Sequence, residues 1–352
     1  MEISEQLPDG EVLKWLPDAS NRAPDQRPVL PTGPTSWGFA TGNHFPLRRL
    51  ATSLGLTAIV CSLPKHAQGQ DLYAAARTAA EHGQLDSAYD LIRRAAAAEP
   101  DRAPVQFWLG EIATFKARSA GFSLAGFTAA RSAKAGFGRA VRLDPANPDY
   151  LQVFAEFLSQ APGIAGGDRD SALGLAAHLE RVDAVRGTIV MADVLHRGNA
   201  RDRQRADSTI AQLLAEYPAD RVAQGGAGNY YAITGRPQLG VPLYQGLVDR
   251  DSTDGLARYG LARLLVMTGR QPRRAQRQLH YVLGHVHELV AQALTPGAPG
   301  RRFWFSPAAA WLMLGRTYRQ LDMNDSARVC YEHALAIEPQ LRGAKAALDS
   351  LR

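Results

Sequence analysis

Cysteine is nearly missing from this chain. Its 352 residues hold two, Cys61 and Cys330, too few for a disulfide framework and at no CxxC spacing for zinc or redox work. Cys330 stands one residue before Tyr331 in a helical packing pattern and reads as a small buried hydrophobe. Charge of one sign is nowhere concentrated. No block of five or six like charges occurs and no basic–aromatic signature, so nucleic acid is not expected as a partner. No apolar run reaches the ~20 residues that span a bilayer; the stretch from Leu50 to Leu63 has fourteen. No G-x-S-x-G is present and no Cys/His pairing has local support. Neither an enzyme nor a cofactor is expected.

What is present is an ordinary soluble composition, 45% hydrophobic and 21% charged, with a net charge of +6. Up to Gly69 six basic residues balance six acidic ones, so the excess belongs to the remainder, 34 basic against 28 acidic. Such a mild excess is the mark of a solvated surface more than of an anion site.

The first seventy residues differ from the rest. Residues 1–46 contain seven prolines and no apolar periodicity, a composition expected to stay disordered. Leu47-Arg48-Arg49, the apolar run and Ala67-Gln68-Gly69 then follow in the order of a secretory signal over 47–69: basic, apolar, small-x-small. Val60 precedes Cys61 where a bacterial lipoprotein signal has a small residue, which disfavours a lipid anchor. A signal should open a chain, so translation is expected to start later, at Val29 or Leu47. The expected location is the periplasm or outside the cell. The competing reading is a disordered tail and a short buried helix in a cytoplasmic protein.

Several motifs favour structural explanations. Gly163-Ile164-Ala165-Gly166-Gly167-Asp168-Arg169-Asp170 lacks the preceding strand and Lys-Ser/Thr of a phosphate loop, and Asp168 and Asp170 suit a helix N-terminus. On one continuous helix His285 and His287 would stand ~200° apart, leaving His280 and His287 on one face. His287-Glu288 lacks the second histidine of H-E-x-x-H, because Ala291 stands there. No metal site is expected. The Arg270, Arg273, Arg274 and Arg277 cluster is the best basic patch, and a solvated face explains it.

The end of the chain carries the decisive pattern. Trp311, Leu314, Gly315, Tyr318, Ala327, Tyr331, Ala334 and Pro339 match W-x₂-L-G-x₂-Y…A-x₃-F…P, the sketch of a 34-residue helix–turn–helix unit. Ala88, Ile92, Ala95 and Pro100 repeat the offsets of Ala327, Tyr331, Ala334 and Pro339. Small residues at these places let two helices approach, and large ones between fill the gap. Further units carry Leu109, Gly110, Ala133, Phe137, Ala140 and Pro145; Leu151, Phe154, Ala155, Leu158, Ala172, Ala176 and Leu179; a degenerate one about 187–220; one from about 221; and one from near 255 with a long helix to about Leu294. Eleven extra residues fall around 118–128, a loop around 161–167, a Gly/Pro-rich loop over 295–307, and a capping helix at the end.

Residues 70–352 therefore resemble the tetratricopeptide repeat family, in particular exported bacterial members, as about seven helical pairs and a cap. The resemblance implies an all-α, right-handed α-solenoid of antiparallel helix pairs that binds a protein or peptide in its concave groove without catalysis. By the same resemblance the groove face holds Phe107, Glu111, Gln152, Glu156, Asn229, Tyr259, Arg263, Arg316 and Arg319. Gly225 replaces the lysine with which some members clamp a C-terminal carboxylate, so that clamp is not expected. Acidic residues early and arginines late would suit an extended peptide bound in one direction. A solute- or lipid-binding transporter component is the second reading, and it predicts an enclosed apolar cavity. Mass spectrometry of the native N-terminus is expected to find no peptide from Glu2–Arg22; recovering one from cells would show that translation begins upstream of Val29.

Overall fold

The computed structural model describes residues 65–81, 84–294, 305–339 and 341–351. The expectations placed on 1–46, on 47–64 and on 295–304 lie outside these residues. The chain divides into Met1–Val60 and Cys61–Arg352, and everything below concerns the second unit.

Helices follow one another as hairpins. In chain order they are α1 (Lys65–Glu81) with α2 (Leu85–Ala98), α3 (Ala103–Ala120) with α4 (Leu124–Leu143), and α5 (Pro148–Gln160) with α6 (Arg169–Val182). Next come α7 (Ala184–His196) with α8 (Ala200–Glu216), α9 (Arg221–Ile233) with α10 (Pro237–Arg250), and α11 (Gly255–Thr268) with α12 (Pro272–Gly284). A short α13 (Val286–Leu294) precedes the last pair, α14 (Pro307–Gln320) with α15 (Asn324–Ile337), and α16 (Arg342–Asp349) closes the array. No strand occurs among the described residues. From α1 to α13 each helix packs on its successor, α14 packs on α12 and α15, and the first helix of one pair also packs on the first helix of the next, α5 on α7, α7 on α9, α9 on α11 and α11 on α14. That double adjacency makes an α-solenoid, in which each unit buries its apolar face against neighbours.

The sequence writes the helix ends plainly. Ser123, Asn147, Asp168, Asp183, Asn199, Asp220, Asp254 and Ser306 stand at N-caps, each side chain accepting from a first-turn N–H. Proline opens α3, α5, α10, α12 and α14, where its missing N–H is not needed. The glycine-rich segment at 163–167 forms a single 3-10 turn, and Asp168 then caps α6 through the Ser171 N–H at 3.1 Å. The long helix expected to run to Leu294 breaks instead. His285 caps α12: its backbone N–H is shared between the Tyr281 and Val282 carbonyls at 3.2 and 3.3 Å, and its Nδ1–H also donates to the Tyr281 carbonyl at 2.8 Å. His280 and His287 therefore do not share one helix, and the His280 ring meets the Tyr318 hydroxyl at 3.0 Å.

Within a pair, the approach of the two helices depends on glycine beneath an aromatic ring. A Cβ on Gly315 would stand 2.4 Å from the Tyr331 ring, and one on Gly110 2.4 Å from the Phe137 ring. Gly228 and Gly260 lie on either side of the Tyr244 ring in the same way, with distances of 2.7 and 2.2 Å. Tyr331 and Phe137 are fully buried as a result, each worth roughly 1.5–3 kcal/mol of apolar burial.

The second pair keeps this contact while growing longer. Helix α3 runs ten residues past Gly110, against five for α14 past Gly315. Helix α4 starts thirteen residues before Phe137, against seven for α15 before Tyr331. The eleven extra residues are thus shared by two antiparallel helices, and the hairpin reaches ~8 Å further at 1.5 Å per residue.

Polar ties join equivalent places in successive pairs. Arg169 donates to Asp202 at 2.9 Å and Arg221 to Asp254 at 2.8 Å, each across 33 residues. Arg263 donates to the Asn229 amide oxygen across 34. Cys330 is buried in the last pair, which pushes its thiol up to about 12 and leaves it without thiolate chemistry.

One junction is tighter than the rest: Asp183 both ends α6 and caps α7. A Cβ on Gly187 would meet the Glu180 backbone at 2.2 Å, whereas nothing lies within 4 Å of one on Gly174. Gly187→Ala is expected to destabilise by roughly 1–3 kcal/mol, and Gly174→Ala to stabilise by roughly 0.5–1 kcal/mol. Thermal melts check both, and equal shifts for the two variants would show that the α6–α7 approach is not limiting.

Candidate functional site

Stacking first helices against one another gives them a common inner face. A cleft of about 530 Å³ opens on it, lined by α3, α5, α7, α9 and α11 in turn. The extended α3–α4 hairpin walls one side with Arg118, Phe122 and Phe127, the last two in edge-to-face contact at 6.3 Å. Ala161, Pro162 and Ala165, from the turn after α5, close another side. Phe157 of α5 and Ile233 of α9 add apolar floor. Both departures from the repeat length therefore converge on one place.

Of the nine residues that the sequence assigned to the groove, Glu156, Asn229 and Arg263 line this cleft. Gln152 supports it from α5, donating to the Glu156 carboxylate at 2.9 Å. Glu111 is buried at 1% exposure, close enough for its charge to act on Glu156. Phe107 and Tyr259 do not face the groove. Phe107, 3% exposed, packs between the Phe137 and Tyr150 rings, and Tyr259, 5% exposed, packs edge-on to Phe305. Aromatic rings at these positions bury against the neighbouring pair because it offers apolar surface. Arg316 and Arg319 are exposed at the last pair, and Arg319 donates to Ser350 at 2.7 Å. They lie apart from the cleft lining. The expected gradient, acidic early and arginine late, also changes: Arg118 and Arg197 stand in the cleft beside Glu156 and Asp193.

Asp193, Arg197 and Arg118 were not anticipated. Asp193 carried a readable signal, because it is the one charged side chain in the apolar run Ile189 to Leu195. Its neighbours Ala192, Val194 and Leu195 pack into the core, while Asp193 turns to the cleft. Burial pushes the Asp193 carboxyl up to about 7; the nearby Glu156 charge adds to this and Arg197 opposes it. Burial likewise raises Glu156 to about 7, with the Gln152 hydrogen bond opposing and the Glu111 charge assisting. The cleft holds two acids near their midpoint at neutral pH, three guanidinium groups and a partly aromatic floor.

Raised carboxyl pKa values link stability to pH with a definite sign. Between about 4 and 7 the folded chain binds more protons at these two sites than the unfolded chain, so their contribution is greatest below pH 4 and is lost as pH rises through 7. The Glu156→Gln, Asp193→Asn double variant should therefore gain on wild type as pH rises. At pH 8 its melting temperature should exceed wild type by a few degrees, at roughly 2–4 °C per kcal/mol, with a smaller difference at pH 5. A difference that does not change with pH would rule out desolvated carboxyls here.

The family model described as "Tetratricopeptide repeat" matches residues 308–341, which hold α14, α15 and the turn into α16. No curated protein matches this sequence. Among solved structures, the chain is similar to a tetratricopeptide repeat protein from Parabacteroides merdae, with 14% identity, 81% of this chain and 99% of that one covered, and a TM-score of 0.43. It is similar to YrrB, described as a TPR protein with an unusual peptide-binding site, at 16% identity over 61% of this chain and 99% of that one, TM-score 0.37. The assembly chaperone of RpL4, Acl4, matches at 15% identity over 81% and 95%, TM-score 0.36. The described residues thus form a helical repeat protein of stacked helix pairs, and its last pair matches the tetratricopeptide repeat model.

Proposed function

We propose that this protein is a non-catalytic scaffold that holds an extended segment of a partner protein or peptide in the cleft between α3 and α11. One observation carries the reading: the first helices of five successive pairs open onto a single cleft. A peptide laid across them would meet one helix after another. Aromatic floor supplies contact area, and Asn229, Gln160 and the arginines supply polar groups that fix register. The work is proposed to take place in the periplasm after export, on the strength of the order of basic, apolar and small residues over 47–69.

The second reading, a solute- or lipid-binding transporter component, draws support from the cleft volume. At about 530 Å³ it falls within the ~300–1,000 Å³ of small-molecule pockets. Against it stand the mixed lining and the guanidinium groups, which an enclosed apolar cavity would lack.

A photo-reactive amino acid placed at Ile233 separates the two. In the protein's own envelope fraction, cross-linking should give a protein adduct at Ile233 and none from Ser208, which is exposed on the outer helix α8. Arg263→Glu should lower the Ile233 adduct about tenfold. A lipid or solute mass at Ile233 would favour the second reading, and equal adducts from both positions would remove the cleft from consideration.

A further inference from the structure

Glu156 and Asp193 are not needed to build the solenoid. Neither belongs to a helix cap, and neither joins the ion pairs that tie successive units. Both face the cleft, from α5 and α7, two helices that pack directly on each other. The Asp193 oxygen Oδ1 is shielded from solvent, and among the described residues no donor reaches it. A buried carboxyl oxygen left without a donor costs roughly 1–3 kcal/mol, more when it is charged. A donor arriving from elsewhere would remove that cost for the ionised form.

We propose that the cleft seats a basic side chain of the bound peptide, a lysine ammonium or arginine guanidinium, between the carboxyls of Glu156 and Asp193. This rests on the peptide-binding reading above and names the residue class that it selects.

The surrounding charges leave the place open for a cation. From α3 come Glu111 and Arg118, from α5 Glu156 itself, from α7 Arg197, and from α11 Arg263; α9 contributes the neutral Asn229. Arg263 is turned onto Asn229. Arg197 is exposed, and among the described residues no ion pair joins it to either acid. The unmet group is an acceptor, so a donor completes the site and an anion does not. An ammonium carries three donors and a guanidinium five, enough to serve both carboxyls. The methylene stem of either would lie along Val153 and Phe157, which line the same wall. Arg197, exposed at the rim of the cleft, would meet an acidic residue elsewhere on the same peptide, which would fix its direction.

Proton linkage follows from this geometry. The cation binds the ionised carboxyls, so seating it expels the protons that burial retains near neutral pH. Affinity for a basic peptide should rise from pH 6 to pH 8, by at least threefold.

The test is a selection of random dodecapeptides displayed on phage against the full-length purified protein, discarding sequences that also bind the Ile233→Arg variant. Cleft-dependent peptides are expected to carry lysine or arginine at one fixed position. Replacing that residue by norleucine should weaken binding tenfold or more. In the Glu156→Gln, Asp193→Asn protein, whose fold is checked by circular dichroism, lysine and norleucine peptides should bind alike. Cleft-dependent peptides with no basic preference, or with acidic residues at the fixed position, would overturn the cation site and leave peptide binding standing. If no selected peptide depends on the cleft, the peptide-binding reading fails and the cation site fails with it.

Discussion

The contact on which this structure depends is an aromatic ring lying over a glycine in the facing helix. Phe137 on Gly110, Tyr244 on Gly228 and Tyr331 on Gly315 repeat the arrangement in three pairs. Without a Cβ, the first helix lets the ring approach its backbone, and the two helices come close enough to exclude water along their length. That contact fixes the phase of each hairpin. Once the phase is set, N-caps and turns fall at regular places, and equivalent positions of successive pairs come within reach of one another. Arg169 with Asp202, Arg221 with Asp254 and Arg263 with Asn229 are consequences of that spacing.

A uniform array of such pairs would present a uniform groove. Two local departures make this one specific. In the second pair the extra residues are divided between both helices beyond the Gly110–Phe137 contact, so the hairpin lengthens while its phase is kept. In the third pair the turn at 161–167 replaces a tight helix connection. Because both excursions leave the array toward the inner face, they wall one cleft, and Glu156 and Asp193 lose enough water there to titrate near neutrality. The interior of the cleft is thus a product of irregularity supported by regular neighbours.

How far these features could be read from the residues varies for physical reasons. Helix ends were legible, since Asp, Asn and Ser before a helix and proline at its start act locally. Core alanines such as Ala88, Ala327 and Ala334 were legible from their recurrence, and all three are fully buried. The break at His285 was not, because it shows only in how the His285 N–H and ring fold back onto the last carbonyls of α12. Repeat position put Glu156, Asn229 and Arg263 on the groove, and they line the cleft, while Phe107 and Tyr259, put there by the same rule, are buried. Position within a unit gives a direction for the side chain, and a large apolar ring turns to whatever apolar surface its neighbours offer. Asp193 shows the converse, a carboxyl whose importance comes from the helices facing it.

What the sequence determined alone is the frame: alternating helices, their caps, their repeat length, and the glycine–aromatic contacts that phase them. Each of these is set by residues within one unit or between adjacent ones, where spacing along the chain and spacing in space agree. Only the tertiary structure decided the cleft. Arg118, Glu156, Asp193, Asn229 and Arg263 come from five helices separated along the chain by as many as 145 residues. Their burial, and with it their charge state, depends on how several units stack, which no single stretch of residues records.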